Sequence, residues 1–85
     1  MPKSIFTDAN QVVVDALVSA RKAAGLRQED LASKLGKNQS LISRIESGQR
    51  RLDVVEFYAV ATAIGADPVE LYGSIVKCLP QKVEI

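Results

Sequence analysis

Residues 27–48, RQEDLASKLGKNQSLISRIESG, constrain the fold more than any other stretch of the chain. They hold two apolar stripes of helical period on either side of one glycine. Leu31, Ala32 and Leu35 recur before Gly36; Leu41, Ile42 and Ile45 recur after it. Helices this short are not stable alone in water, so each must be held by packing. The pattern predicts a helix over 28–35 and a second over 39–47, crossing steeply around a tight turn. Ala32 is small enough for the crossing point, and Gly36 can take the positive φ that such a turn requires. Counted from Gln28, the residues Gln28, Ala32, Gly36, Ile42 and Ile45 stand at positions 1, 5, 9, 15 and 18. Each is common by itself; the set at this spacing is specific.

The second of these helices has two opposed faces. With Gln39 at zero, Leu41, Ile45 and Ile42 fall at about 200°, 240° and 300°. Gln39, Ser43, Ser47, Ser40 and Arg44 occupy about 0° to 140°. The polar face is slim, so its backbone can approach another surface closely. Glu46, at about 340°, borders the apolar side instead. An ordinary amphipathic helix could carry the same pattern, so periodicity leaves the use of this face open.

Around this pair the chain reads as further helices. Residues 1–6 are expected to form a loose arm. A first helix is expected from Thr7, an acceptable N-cap, to Ala24, with Gly25 at its C-terminal cap. Val13, Ala16, Leu17, Ala20 and Ala24 share one face, while Val14 and Val18 lie outside it and suggest a second contact. Asn38 is the expected N-cap of the helix over 39–47. Asp53 caps a fourth helix, with Glu56 completing a capping box. Because only Glu56 and Thr62 interrupt the apolar run from Val54 to Ile64, that helix is expected to be enclosed on all sides and to form the centre of the core. Asp67-Pro68-Val69-Glu70 announces a fifth helix over 67–79, ended by Pro80. Its apolar residues cover about half the circumference. That breadth has two readings: a wide intramolecular contact, or a second partner, most simply another copy of the chain. Residues 80–85 form a tail.

Composition narrows the function classes. An 85-residue chain with 47% hydrophobic and 25% charged residues makes one globular domain. No apolar stretch is long enough to span a membrane. Asp8, Asn10 and Asp15 break up any signal-peptide core. One cysteine, Cys78, excludes an internal disulfide and fits a reducing, cytoplasmic setting. With no histidine and one cysteine, neither a metal site nor a histidine-assisted nucleophile is expected. No cofactor and no enzymatic activity are expected. The net charge of +1 conceals an asymmetry. Residues 27–51 carry Arg27, Lys34, Lys37, Arg44, Arg50 and Arg51 against three carboxylates, whereas residues 52–85 carry five carboxylates against two lysines. The positive end coincides with the paired helices, as a polyanion-binding surface would require. A solvated surface with chance asymmetry is the plainer account.

From about Arg21 to Tyr72 the chain resembles the Cro/repressor-type, or XRE, family of helix-turn-helix transcriptional regulators. The resemblance rests on Gly25-Leu26, Gln28-Glu29, Leu31-Ala32, Gly36, Gln39-Ser40, Ile42-Ser43, Ile45-Glu46, Gly48 and the later Ala63-Ile64-Gly65. It implies an all-α, compact five-helix lambda-repressor-like domain, with the helix-turn-helix at helices 2 and 3 (core 28–47) and the domain over 7–79. By resemblance, Gln39, Ser40, Ser43 and Arg44 read bases in the major groove. Gln28, which by resemblance also braces the first residue of helix 3, and Arg50 and Arg51, with the amides around Ser47 and Gly48, match positions on the phosphate backbone; Arg27, Lys37, Asn38 and Ser47 are expected to meet phosphate beside them. Glu46 matches a residue that pairs with a helix-1 arginine, Arg21 here. Three positions depart from the family pattern: Arg27 at the helix-2 N-cap, Lys37 after the turn, and Leu52 where proline is common.

The implied function is a cytoplasmic, nucleoid-associated repressor or activator that binds double-stranded DNA. A homodimer on an inverted repeat is expected, with Tyr72, Ile75, Val76 and Leu79 of the probable dimerisation helix at its interface. Glu29 lies where some relatives touch RNA polymerase, although acidic residues are favoured at any helix N-terminus. The alternative is an antitoxin-type or protein-interaction module that holds a partner protein through helix 5 and the tail.

Overall fold

The computed structural model describes the backbone of residues 2–83 and the side-chain environments of residues 9–83. Five helices follow in order: α1 Pro2–Ala23, α2 Gln28–Leu35, α3 Gln39–Glu46, α4 Val54–Ile64 and α5 Pro68–Cys78. There is no strand among the described residues. No described helix is long and apolar enough to cross a membrane. α2 and α3 pack on each other, and α4 lies under α2. α1 runs against α3, α4 and α5. The shared core is Leu17, Leu31, Ala32, Ile42, Val60 and Ile64, with Val13, Leu35, Leu52, Phe57 and Leu71 packed around it.

Helix boundaries follow local chemistry closely. Gly36 takes φ +67°, and the turn closes by Gly36 N–H on the Ser33 carbonyl and Lys37 N–H on that of Ala32. Asp53 accepts from Glu56 N–H at 2.7 Å while the Glu56 carboxylate accepts from Asp53 N–H at 3.0 Å. Both orphan donors at the start of α4 are thereby satisfied. Asp67 caps α5 by accepting from Val69 N–H, with Pro68 at the first helical position.

Asn38 is the N-cap of α3, as expected, with extended backbone and no side-chain capping hydrogen bond. Three expectations need correction. α1 begins at Pro2, so backbone expected as an arm is helical and Thr7 lies inside the helix, not at its cap. Val14, outside the expected apolar face of α1, is buried, while Ala24 is exposed. The third concerns α4, which is not enclosed. Val60, Ala61 and Ile64 are buried, but Val54, Val55 and Tyr58 are 85%, 76% and 61% exposed. The C-terminal half of α4 is the part surrounded by other helices; the N-terminal half projects an apolar face outward. The tail expected over 80–85 is non-helical over 80–83, and 84–85 lie outside the described residues.

Candidate nucleic-acid interface

α3 is seated by its apolar side. Ile42 and Ile45 are buried, whereas Gln39, Ser40, Ser43, Arg44 and Ser47 are all exposed. The four residues expected to read bases therefore lie together on one open face. Ser47 follows the helix as its C-terminal cap, and its hydroxyl donates to the Arg44 carbonyl at 3.2 Å. Gly48 then reverses the chain at φ +82°, a conformation that side-chain-bearing residues rarely adopt.

A connected set of polar side chains fixes α3 to the scaffold. The Arg21 guanidinium donates from Nε to Glu46 Oε2 at 2.7 Å and from Nη2 to Glu46 Oε1 at 2.9 Å. Its Nη1 donates to the Leu26 carbonyl at 2.8 Å. Both side chains are only 9% exposed. Gln28 Nε2 donates to Glu46 Oε1 at 2.9 Å, and Gln39 Nε2 donates to Gln28 Oε1 at 3.2 Å. The chain of bonds thus runs from α1 through Glu46 and α2 to the first residue of the open face. Its geometry is bidentate at the buried end, which gives direction as well as energy.

The cations expected to grip phosphate divide into two groups. Arg27 is turned onto Asp30, with Nε and Nη2 each 3.2 Å from its carboxylate, and Asp30 also accepts from Arg27 N–H. Asp30 thereby satisfies the Arg27 N–H, while the Arg27 side chain makes no capping hydrogen bond of its own. The hydrogen bonds from Arg27 hold the Asp30 carboxyl below its usual range. Arg50 is likewise engaged: its Nη2 and Nη1 lie 2.6 and 3.1 Å from the two Glu56 oxygens. Arg50 and the capping bond from Asp53 N–H together bring Glu56 from 4.5 down to about 2. By contrast, Lys37 and Arg51 are exposed and make no ion pair among the described residues, as is also true of Arg44, the arginine expected to read a base. The Arg50–Glu56 pair was missed because Glu56 was assigned only to the cap. Its six-residue spacing crosses a loop, where no helical rule pairs side chains.

A second surface lies along α4 and α5. Val54, Val55, Tyr58, Val69, Tyr72 and Val76 are all exposed. Between the two helices runs a groove of about 590 Å³ with Phe57 in its wall and Val13 and Leu52 beside it. Phe57 and Tyr72 meet edge to face with ring centres 5.9 Å apart. Of the residues assigned to a dimer contact, Tyr72 and Val76 are exposed and Leu79 is half-buried. Ile75 is 1% exposed and faces its own domain, so it cannot meet a partner. The exposed residues of α4 were missed because its nearly continuous apolar run has no periodicity to show which side faces outward.

Comparison with known proteins agrees with this architecture. Residues 17–71 match the helix-turn-helix family. Over 64 residues the chain is 33% identical to the HTH-type transcriptional regulator y4dJ of Sinorhizobium fredii, covering 75% of this chain and 83% of that one. An XRE-family like protein from Pseudomonas syringae superposes with a TM-score of 0.83 at 40% identity, over 93% of this chain and 96% of its own. The restriction-modification controller C.AhdI of Aeromonas hydrophila superposes with a TM-score of 0.67 at 35% identity, over 78% of this chain and 98% of its own. The fold alone is shared with the clp gene regulator ClgR of C. glutamicum, at a TM-score of 0.74 and 19% identity over 87% of this chain and 96% of that one. The chain belongs to the XRE-type helix-turn-helix family of DNA-binding transcriptional regulators.

Proposed function

We propose that the protein is a sequence-specific regulator of transcription that inserts α3 into the major groove of an operator. The observation that carries this reading is the open face of α3, where Gln39, Ser40, Ser43 and Arg44 stand exposed above a buried Ile42–Ile45 seat. Glutamine and arginine supply the bidentate contacts that distinguish adenine and guanine. Lys37, Asn38 and Arg51 are exposed and free to meet phosphate, whereas the amides of Ser47, Gly48 and Gln49 already donate to the Ser43, Ile45 and Arg44 carbonyls. Phosphate contacts set register and affinity, not sequence preference. Arg50 and Arg27 support the phosphate-facing loops through Glu56 and Asp30.

The active form we propose is a homodimer joined through the exposed apolar surface of α4 and α5. Val54, Tyr58, Val69 and Tyr72 line one apolar groove, and Val55 and Val76 are exposed on the same two helices, which favours burial against a like surface. Two recognition helices about 34 Å apart would then read an inverted repeat. The same apolar groove also suits a partner protein, the antitoxin-type alternative. Selection of bound sites from random duplex DNA, with sedimentation of the free and bound protein, separates the two. Recovery of a palindromic site bound by a dimer supports the proposal; no enriched site, together with a monomer at micromolar concentration, counts against it.

A further inference from the structure

We propose that Glu56 limits how tightly this protein holds the DNA backbone, by keeping Arg50 from phosphate. This rests on the reading of α3 as the groove-facing helix. The loop after α3 is wrapped onto that helix: the Gln49 and Arg50 N–H groups both donate to the Arg44 carbonyl, at 2.9 and 3.1 Å. Arg44 belongs to the open face, so the Arg50 backbone lies at the edge of that face, next to the exposed Arg51. By position alone, both arginines could reach phosphate. Their side chains differ in what already holds them.

Three hydrogen bonds hold the Arg50 guanidinium. Nη2 donates to Glu56 Oε2 at 2.6 Å, and Nη1 donates to Glu56 Oε1 at 3.1 Å and to the Arg51 carbonyl at 3.3 Å. Glu56 is itself fixed, because Oε1 also accepts from Asp53 N–H at the start of α4. The two side chains are 36% and 34% exposed, so the pair lies open to an approaching duplex. A phosphate that took Arg50 would have to replace two charge-assisted bonds with two of the same kind. Such an exchange yields little net affinity, and it leaves the Glu56 carboxylate beside a second anion. A phosphate meeting Arg51 breaks no ion pair among the described residues, so that contact adds in full. The cap does not need the charge of Glu56, because glutamine closes the same capping box. Only the grip on Arg50 needs it.

The test measures affinity for duplex DNA of random sequence across a salt series, with the full chain and its variants. Glu56→Gln keeps an acceptor for Asp53 N–H but gives up the second carboxylate oxygen, which frees Arg50. The slope of log affinity against log salt should steepen by about one per bound chain. Between about 200 and about 50 mM salt, this variant should therefore gain about three- to fourfold more affinity than the unaltered protein. In an Arg50→Ala background, Glu56→Gln should give no such gain, which separates release of Arg50 from mere removal of a negative charge. Circular dichroism melts confirm that each variant is folded; if Glu56→Gln is not, the slope of Arg50→Ala set against that of Arg51→Ala carries the test. The inference is overturned if Glu56→Gln leaves the slope unchanged, if its gain survives without Arg50, or if Arg50→Ala flattens the slope as Arg51→Ala does. If the unaltered protein binds no duplex at any salt concentration, the DNA-binding reading fails, and the inference with it.

Discussion

Arg21 grips both carboxylate oxygens of Glu46, at 2.7 and 2.9 Å, and so joins the end of α1 to the end of α3 across 25 residues of sequence. Neither side chain has much solvent to fall back on. Removing one partner leaves the other charge nearly buried and unpaired. Arg21→Ala and Glu46→Ala should each lower the free energy of unfolding by about 3–5 kcal/mol. The double variant should cost clearly less than the two added together, because it strands no charge. Urea titrations of the three variants measure this; simple additivity would mean that the pair is not a unit.

Arg50 and Arg51 are adjacent in sequence but differ in what they touch. Arg51 is exposed, and Arg51→Ala should weaken binding to every DNA sequence alike, lowering the slope of log affinity against log salt by about one. Arg50→Ala should instead lower fold stability, because its guanidinium is bound to Glu56. Arg44→Ala should relax preference at one base pair, by about 1–3 kcal/mol. Salt titrations and site selection on the three variants distinguish these outcomes. Equal salt slopes for the Arg50 and Arg51 variants would contradict the division.

The same pair predicts a response to acid. Glu56 titrates at about 2 in the folded chain against 4.5 in its absence, chiefly because Arg50 donates to it. A folded value below the unfolded one means the pair stabilises the fold fully above about pH 4.5 and is lost as pH falls toward 2. Glu56→Gln should be less stable than the unaltered protein at neutral pH, and its stability should fall less steeply across that acid range. Asp30, also held low by Arg27, keeps part of the slope. Denaturation midpoints between pH 2 and 7 provide the check; parallel curves for the two proteins would refute it.

The α4–α5 surface and the α5 core residue should separate cleanly. Val55→Glu changes an exposed position, so the chain should stay folded by circular dichroism while sedimentation at micromolar concentration shifts to monomer and the melting temperature loses its dependence on protein concentration. Ile75→Ala should lower stability by about 2–5 kcal/mol, as expected when a buried isoleucine is truncated. If Val55→Glu leaves a dimer intact, the interface lies elsewhere.

Much of this protein was legible as local chemistry. Gly36, Asp53 with Glu56, and Asp67 with Pro68 act within four or five residues, where backbone geometry leaves few alternatives, and helix boundaries followed from them. The two faces of α3 were legible for the same reason, since helical period decides them before any neighbour is placed. Other features depended on what lies across the fold. An apolar residue such as Ile75 or Val55 has the same chemistry whether buried or exposed, and only the position of α1 and α5 decides that one is covered and the other is not. Likewise, Arg50 and Arg51 are the same residue type side by side, and the carboxylate of Glu56 is within reach of only one. Spacing and residue type determined which helices form and which face of α3 is polar; packing decided where the outward apolar surface lies and which arginines remain free, because those depend on distances between segments remote in sequence.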